Sequence, residues 1–254
     1  MAEIIAITNQ KGGVGKTTTA LNLGAAFAQM GSRVLFVDMD PQCSLTYALG
    51  GELGEPNVAE VLLGSRTAQD TIRRLEDGDL LAADPSLSGM DLTLNQTGKE
   101  FRLREALGPI LSQYDFILLD SPPTLGVLTV NILTAASSVV VPALADIFSL
   151  QGVGQLYTTI QAVQTYCNPG LKLQGILLTR HTERFVLSRE MRQMLEDTAQ
   201  QLNTRVYRTA IRESVALREA QAARESIFRY APRSRQAADY MAFAQEYLSI
   251  AVGE

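Results

Sequence analysis

The chain has 254 residues, 46% of them hydrophobic, and a formal net charge of −5 at pH 7. That length allows a sizeable buried core, while no apolar run nears the ~20 residues of a membrane span and the first predicted strand begins too close to Met1 for a signal peptide. Cys43 and Cys167 lack any paired spacing, which excludes a disulfide framework and points to free thiols in the cytoplasm. Along the chain, short apolar runs alternate with longer amphipathic ones. Strands are predicted over 4–8, 33–38, 80–82, 116–120, 138–142, 173–179 and 204–208. Helices are predicted over 17–29, 58–63, 69–74, 101–111, 126–134, 151–166, 187–202, 214–223 and 233–250, with 49–57 as loop. Continuous β-branched strands are buried on both faces. The alternation therefore predicts an α/β fold, a mostly parallel twisted sheet with helices on both faces, with no linker dividing residues 1–254 into two domains.

Between the first strand and the first helix lies Lys11-Gly12-Gly13-Val14-Gly15-Lys16-Thr17-Thr18-Thr19. Strand, glycine loop and helix form the context of a phosphate-binding loop. Glycines let backbone N–H groups approach phosphate oxygens, and the helix N-terminus adds its own N–H groups and positive dipole end. Lys16 is placed to neutralise β- and γ-phosphates, and the Thr17 hydroxyl to hold Mg²⁺. Gln10 stands where the common loop begins with glycine, and a second lysine, Lys11, follows it. Lys16 would serve its own nucleotide, and Lys11 a nucleotide bound by another subunit.

Ligands of open α/β sheets sit at the carboxyl ends of strands. The strand at 116–120 ends in Asp120 after four apolar residues, an arrangement that orients Mg²⁺. The strand at 33–38 ends in Asp38-Met39-Asp40-Pro41-Gln42. Asp38 and Asp40 stand two residues apart at that strand end and are read as serving different roles.

These stretches resemble the deviant Walker A family of P-loop ATPases, whose KGGxGK[ST] pattern residues 11–17 meet in full. The resemblance implies that Lys11 reaches across a nucleotide-sandwich homodimer and that Asp40, in the DxDPQ motif, positions the attacking water. Asp38 would then support the metal site or the loop. It implies Lys11, Lys16 and Asp40 as catalytic residues in slow, partner-stimulated hydrolysis of ATP, with Thr17, Asp38 and Asp120 at the metal. Residues 11–18 would contact ATP, from Lys11 and Gly12 through Gly13, Val14, Gly15, Lys16 and Thr17 to Thr18. Ser121-Pro122-Pro123-Thr124-Leu125-Gly126 and Tyr230-Ala231-Pro232-Arg233-Ser234-Arg235 resemble the ParA/Soj partition branch, so the likeness runs from about residue 3 to about residue 248. Two departures stand out. Leu144-Ala145-Asp146 replaces the usual Gln-Cys-Glu, and Ile211-Arg212-Glu213-Ser214 replaces an Ile-Pro-Arg-Asn turn that lies against adenine. Thr179, Ile211 and Arg212 remain the expected base-side contacts, with Arg180 beside them.

Charge is unevenly distributed. Residues 1–171 carry 9 Lys+Arg against 17 Asp+Glu, whereas 172–235 carry 13 against 7. This basic third reads either as solvated helix faces or as a polyanion surface. Arg184, Arg189, Arg192, Arg212, Arg218 and Arg224 are the candidate DNA contacts; the last three, spaced six apart, form no single stripe on a helix. The resemblance implies nonspecific double-stranded DNA, a nucleoid location, and a ParB-like or other cargo adaptor as partners, with no N-terminal helix-turn-helix extension for operator binding. A MinD-like membrane-surface ATPase would need a basic amphipathic C-terminus, and residues 245–254 carry no basic residue. A metal- or cluster-delivery ATPase would need paired cysteines, and Cys43 stands alone after the DxDPQ motif. A ligase of the dethiobiotin synthetase kind has no feature in its favour. His181, the only histidine, reads as a loop residue, and Leu156, Ile160 and Val163 as core.

Overall fold

The computed structural model describes residues 2–54, 56–182 and 186–252. Six strands, β1 (Glu3–Ile7), β2 (Val34–Asp38), β3 (Asp79–Leu81), β4 (Phe116–Asp120), β5 (Ser138–Ala143) and β6 (Lys172–Leu178), form one parallel sheet in the order β3-β2-β4-β1-β5-β6. The helices in chain order are α1 (Lys16–Gln29), α2 (Ser44–Ala48), α3 (Val58–Leu63), α4 (Ala68–Thr71), α5 (Met90–Thr93), α6 (Arg102–Leu107), α7 (Val127–Ala135), α8 (Ile147–Tyr166), α9 (Val186–Gln201), α10 (Val215–Ala222), α11 (Ile227–Tyr230) and α12 (Arg235–Val252). The expected parallel α/β sheet is the one the chain forms. Among the described residues no helix is long and apolar enough to cross a membrane.

Side-chain alternation along the strands splits the core into two layers. Ile4, Ala6, Leu35, Val37, Ile117 and Leu119 pack on one face against Leu62, Leu107, Ile132 and Ile160 of α3, α6, α7 and α8. Ile5, Ile7, Val34, Phe36 and Leu118 pack on the other against Phe27 of α1 and Phe243 of α12. Phe27 stacks on Phe116 at 4.1 Å between ring centroids, and a fully buried side chain of this size stabilises the fold by roughly 1.5–3 kcal/mol. A Cβ at Gly24 would stand 2.2 Å from the Phe36 ring, so the close seat of α1 on β2 requires glycine.

From β1 the chain moves toward the β3 edge, and from β4 toward the β6 edge. The carboxyl ends of the adjacent β1 and β4 are therefore the switch point where an open sheet leaves a crevice for ligands.

The predicted strand at 204–208 does not form. Ile176 N–H donates to Arg205 O and Tyr207 N–H to Ile176 O, but the ladder then slips. Ile211 N–H takes Leu178 O, and the N–H groups of Arg208 and Thr209 donate instead to the Glu246 carboxylate of α12, at 2.7 and 2.9 Å. The predicted helix at 101–111 stops at Leu107 and tightens into a 3-10 turn over Gly108–Gln113, because Pro109 lacks the N–H that an α-helix needs there. Helix α8 begins four residues before its predicted start, where Asp146 accepts the Ser149 N–H at 2.8 Å as its N-cap. Helix α4 ends at Thr71, and Arg73 bridges antiparallel to Leu80 instead of continuing it. The short helices α2, α5 and α11 were not predicted; at four or five residues each they lack a readable period.

Candidate functional site

The loop after β1 wraps one wall of a cavity of about 940 Å³. Gly12, Gly13, Gly15, Lys16, Thr17 and Thr18 line it, facing Asp40, Gln42, Cys43 and Tyr47. Gly13 and Gly15 have φ of 74° and 88°, a conformation that favours glycine. Gly15 caps α1 without a side-chain bond, and the first turn of α1 holds no acidic residue. Its N–H groups and dipole are thus left facing the cavity, as an anion site requires. The Val14 carbonyl accepts the Thr179 hydroxyl at 2.7 Å, which pins the loop to the end of β6. Val14 itself is fully buried and lines no wall of the cavity.

Lys16 is 7% exposed. Burial pulls its ammonium below the ordinary lysine range, opposed by the charges of Asp120 and Asp40. A bound polyphosphate would supply further negative charge. Thr17 Oγ1 donates to Asp120 Oδ2 at 2.7 Å, while Asp120 Oδ1 is buried with no hydrogen-bond partner among the described residues. Burial first, and the neighbouring Asp38 next, raise the Asp120 carboxyl well above its ordinary value. An unpartnered buried carboxylate oxygen beside a threonine hydroxyl is an oxygen-donor pair suited to Mg²⁺. Among the described residues no group of three or more His, Cys, Asp and Glu could hold a metal, so phosphate and water oxygens would complete the shell.

Asp38 and Asp120 are paired across the β2–β4 ladder, yet Asp38 is turned from the role expected at a metal. Its Oδ2 accepts the Thr46 N–H and hydroxyl, both at 2.8 Å, and its Oδ1 accepts the Asp40 N–H at 3.1 Å. Both oxygens are taken because α2 folds back over the strand end, so Asp38 holds the loop. Burial raises its carboxyl to about 6 despite these bonds. Asp40 lines the cavity and accepts the Gln42 N–H at 3.0 Å.

Lys11 does not line its own chain's cavity. Its Nζ is bonded to Asp146 Oδ2 at 2.5 Å and lies 5.6 Å from the centre of the Phe148 ring. Burial raises the Asp146 carboxyl, but the bonds from Lys11 and Ser149 outweigh it and hold the group below the ordinary carboxylate range.

A second cavity of about 200 Å³ adjoins the first, sharing Gly13, Gly15, Thr18 and Gln221 with it. Thr179, Arg180, Ile211, Glu213, Leu217, Arg218 and Tyr240 line it, a size and apolar share suited to a base. Arg180 and Glu213 form an ion pair at 2.8 Å on its rim. Arg212 does not line it: its N–H and guanidinium turn to Asp239, with Nε at 2.9 Å.

The candidate DNA contacts separate into three groups. Arg192 is tied to Glu196 and to the carbonyls of Tyr207 and Arg208, and Arg212, though its side chain is 46% exposed, to Asp239, so both guanidiniums already hold acceptors of this chain. Arg218 and Arg224 line the second and first cavities. Arg189 is exposed on α9, and Arg184 lies outside the described residues. Exposed Arg205, Arg208, Arg233 and Arg235 were not singled out from the sequence. Nor were Thr46, Tyr47 and Gln221, none of which belongs to a spaced motif, while Asp146 was noted only as a departure from the family's Gln-Cys-Glu.

Among the described residues, three of the four non-glycine residues with positive φ, Cys43, Arg180 and Arg224, line these two cavities. Strain of this kind collects at functional sites.

A family described as an AAA domain matches residues 2–173. The chain is 42% identical over 251 residues to the sporulation initiation inhibitor protein Soj of Bacillus subtilis (strain 168), covering 97% of this chain and 98% of that one. It is 38% identical over 255 residues to the chromosome partitioning protein ParA of Myxococcus xanthus, covering 98% and 88%. A crystal structure of cobyrinic acid a,c-diamide synthase from Mycobacterium smegmatis with bound ADP and magnesium superposes with a TM-score of 0.84 at 38% identity, covering 96% and 93%. With this sheet, this phosphate loop and likeness over nearly its full length, the chain belongs to the ParA/Soj family of P-loop ATPases.

Proposed function

We propose that the chain binds ATP with Mg²⁺, hydrolyses it slowly, and uses the nucleotide to control dimerisation and nonspecific DNA binding in partitioning or positioning a chromosome, plasmid or protein cargo. The observation that carries this reading is the convergence of Lys16, Thr17, Asp40 and the half-satisfied Asp120 at the end of the phosphate loop. The loop amides and Lys16 bind the phosphates, and Asp40 orients the water that attacks the γ-phosphorus. Thr17 and Asp120 would hold Mg²⁺, which supplies charge neutralisation for a reaction governed by position and charge.

In this reading Lys11 acts on the nucleotide of a second copy. It must first leave Asp146, a step that would slow basal turnover and leave room for stimulation by an adaptor. DNA would meet the exposed arginines near the β6 edge: Arg189 of α9, and Arg205 and Arg208 beside it. The sheet with its two helical layers acts as one ATPase unit.

The name of the M. smegmatis structure favours a second reading, an ATP-dependent amide-forming ligase. Cys43, the thiol lining the cavity, is pushed to about 12 by burial and by Asp38, Asp84 and Asp40. Burial and three carboxylates thus disfavour the thiolate that releasing amide nitrogen would need. ATP turnover without a second substrate separates the two readings. Asp40→Ala is expected to lower that turnover by about 10²-fold or more while ATP still binds. Unchanged turnover in Asp40→Ala would remove Asp40 from the mechanism.

A further inference from the structure

Helix α10 closes in a Schellman turn, in which Arg224 N–H donates to Gln221 O at 3.1 Å and Glu225 N–H to Ala220 O at 3.0 Å. The residue at the left-handed position of this turn is Arg224, with φ of 60°. Glycine is the ordinary occupant, because a Cβ there crowds the following carbonyl. A cation at a helix C-terminus gains a little from the dipole, but any nearby lysine or arginine supplies that gain without the strain.

Among the described residues the side chain makes no compensating ion pair. Among the described residues no carboxylate bonds the Arg224 guanidinium, which lies over the Tyr47 ring at 4.4 Å from the centroid. Stacking uses the face of the guanidinium and leaves the N–H donors on its edge available. Arg224 and Tyr47 line the phosphate cavity together with Lys16, Thr17 and Asp40. Gln221, three residues before Arg224, donates through Nε2 to Thr18 Oγ1 at 2.9 Å, so the end of α10 is fastened to the start of α1. A strained turn thus places a ring-braced guanidinium on the wall of an anion site.

We propose that Arg224 binds the terminal phosphate of the nucleotide held by its own chain, with Tyr47 holding the guanidinium in readiness. This rests on the ATPase reading above and adds to it a group that distinguishes ATP from ADP. It also moves Arg224 from the DNA contacts to the nucleotide site. The guanidinium fork matches phosphate oxygens, and ADP lacks the group that it would reach.

The test measures the affinities of a non-hydrolysable ATP analogue and of ADP, with Mg²⁺ and without DNA, for the wild type, Arg224→Gly and Arg224→Lys. Arg224→Gly is expected to lose about tenfold in affinity for the ATP analogue and less than about twofold for ADP. Arg224→Lys falls between, keeping the charge without the fork. The melting temperature of Arg224→Gly does not fall, since glycine suits the left-handed turn; this separates lost binding from lost folding. Equal affinities in wild type and Arg224→Gly for both nucleotides would overturn the proposal. So would a parallel duplex-DNA titration in which retention by Arg224→Gly declines while both nucleotide affinities stay at wild type, which would return Arg224 to the DNA contacts. A wild type that binds neither nucleotide would overturn the ATPase reading, and this inference with it.

Discussion

The phosphate cavity and the arginine-rich region at 172–235 hold their charges in different ways. At the cavity the backbone fixes each group. Lys16 opens α1, Asp120 closes β4, Asp40 follows β2, and Thr179 ties the loop to β6. In the arginine-rich region long side chains choose among neighbours. Arg180, Arg192, Arg212 and Arg229 are paired with carboxylates, Arg218 and Arg224 line cavities, and Arg189, Arg205, Arg208, Arg233 and Arg235 are exposed. A short side chain at a strand end has one direction open to it, whereas a flexible arginine has several. The net charge of a region therefore overstates the charge it can offer a partner.

The largest expected effect lies on the cavity side. Lys16→Ala removes the buried cation facing Asp40 and Asp120, and is expected to lower ATP affinity by at least about 10²-fold, read by titration with a fluorescent nucleotide. Affinity within threefold of wild type would break the cavity half of the comparison. The arginine side predicts a contrast between two residues three apart. Arg189→Ala should reduce the slope of log DNA affinity against log salt by about 0.9 and leave stability within about 0.5 kcal/mol. Arg192→Ala should cost about 1 kcal/mol in urea denaturation, through its bonds to Glu196 and the carbonyls at 207 and 208, and leave the salt slope unchanged. Reversed results would mean that burial and pairing do not sort these arginines.

The smallest effect belongs to an exposed pair. Arg33 holds the Asp115 carboxyl down at about 2, chiefly through its side-chain hydrogen bond. A depressed carboxylate stabilises the fold above its unfolded value of about 3.9. That contribution is lost as pH falls through about 2. Acid titration of Asp115→Asn should therefore match the wild type at low pH and fall slightly below it at neutral pH.

Much of the fold was legible because strand burial and helix alternation are written at short range. The phosphate loop and the ends of β2 and β4 were legible because their chemistry needs fixed residue types at fixed spacings. What could not be read was set by distant partners. Glu246 takes the N–H groups that would have made 204–208 a strand, and Thr46 takes the oxygens that would have let Asp38 face a metal. Asp146 draws Lys11 away from the cavity rim, and Arg224 reaches the cavity from a turn where no glycine marks the left-handed position. Each depends on a contact made only once the chain has folded, which neither periodicity nor spacing encodes.

On the proposed function, nucleotide at the cavity controls DNA at the arginine surface. The most direct measurement is duplex DNA binding by the wild type with no nucleotide, with ADP and with ATP. DNA is expected to be retained with ATP alone, and less as salt rises. Equal binding in all three states, or none in any while ATP is hydrolysed, would contradict it.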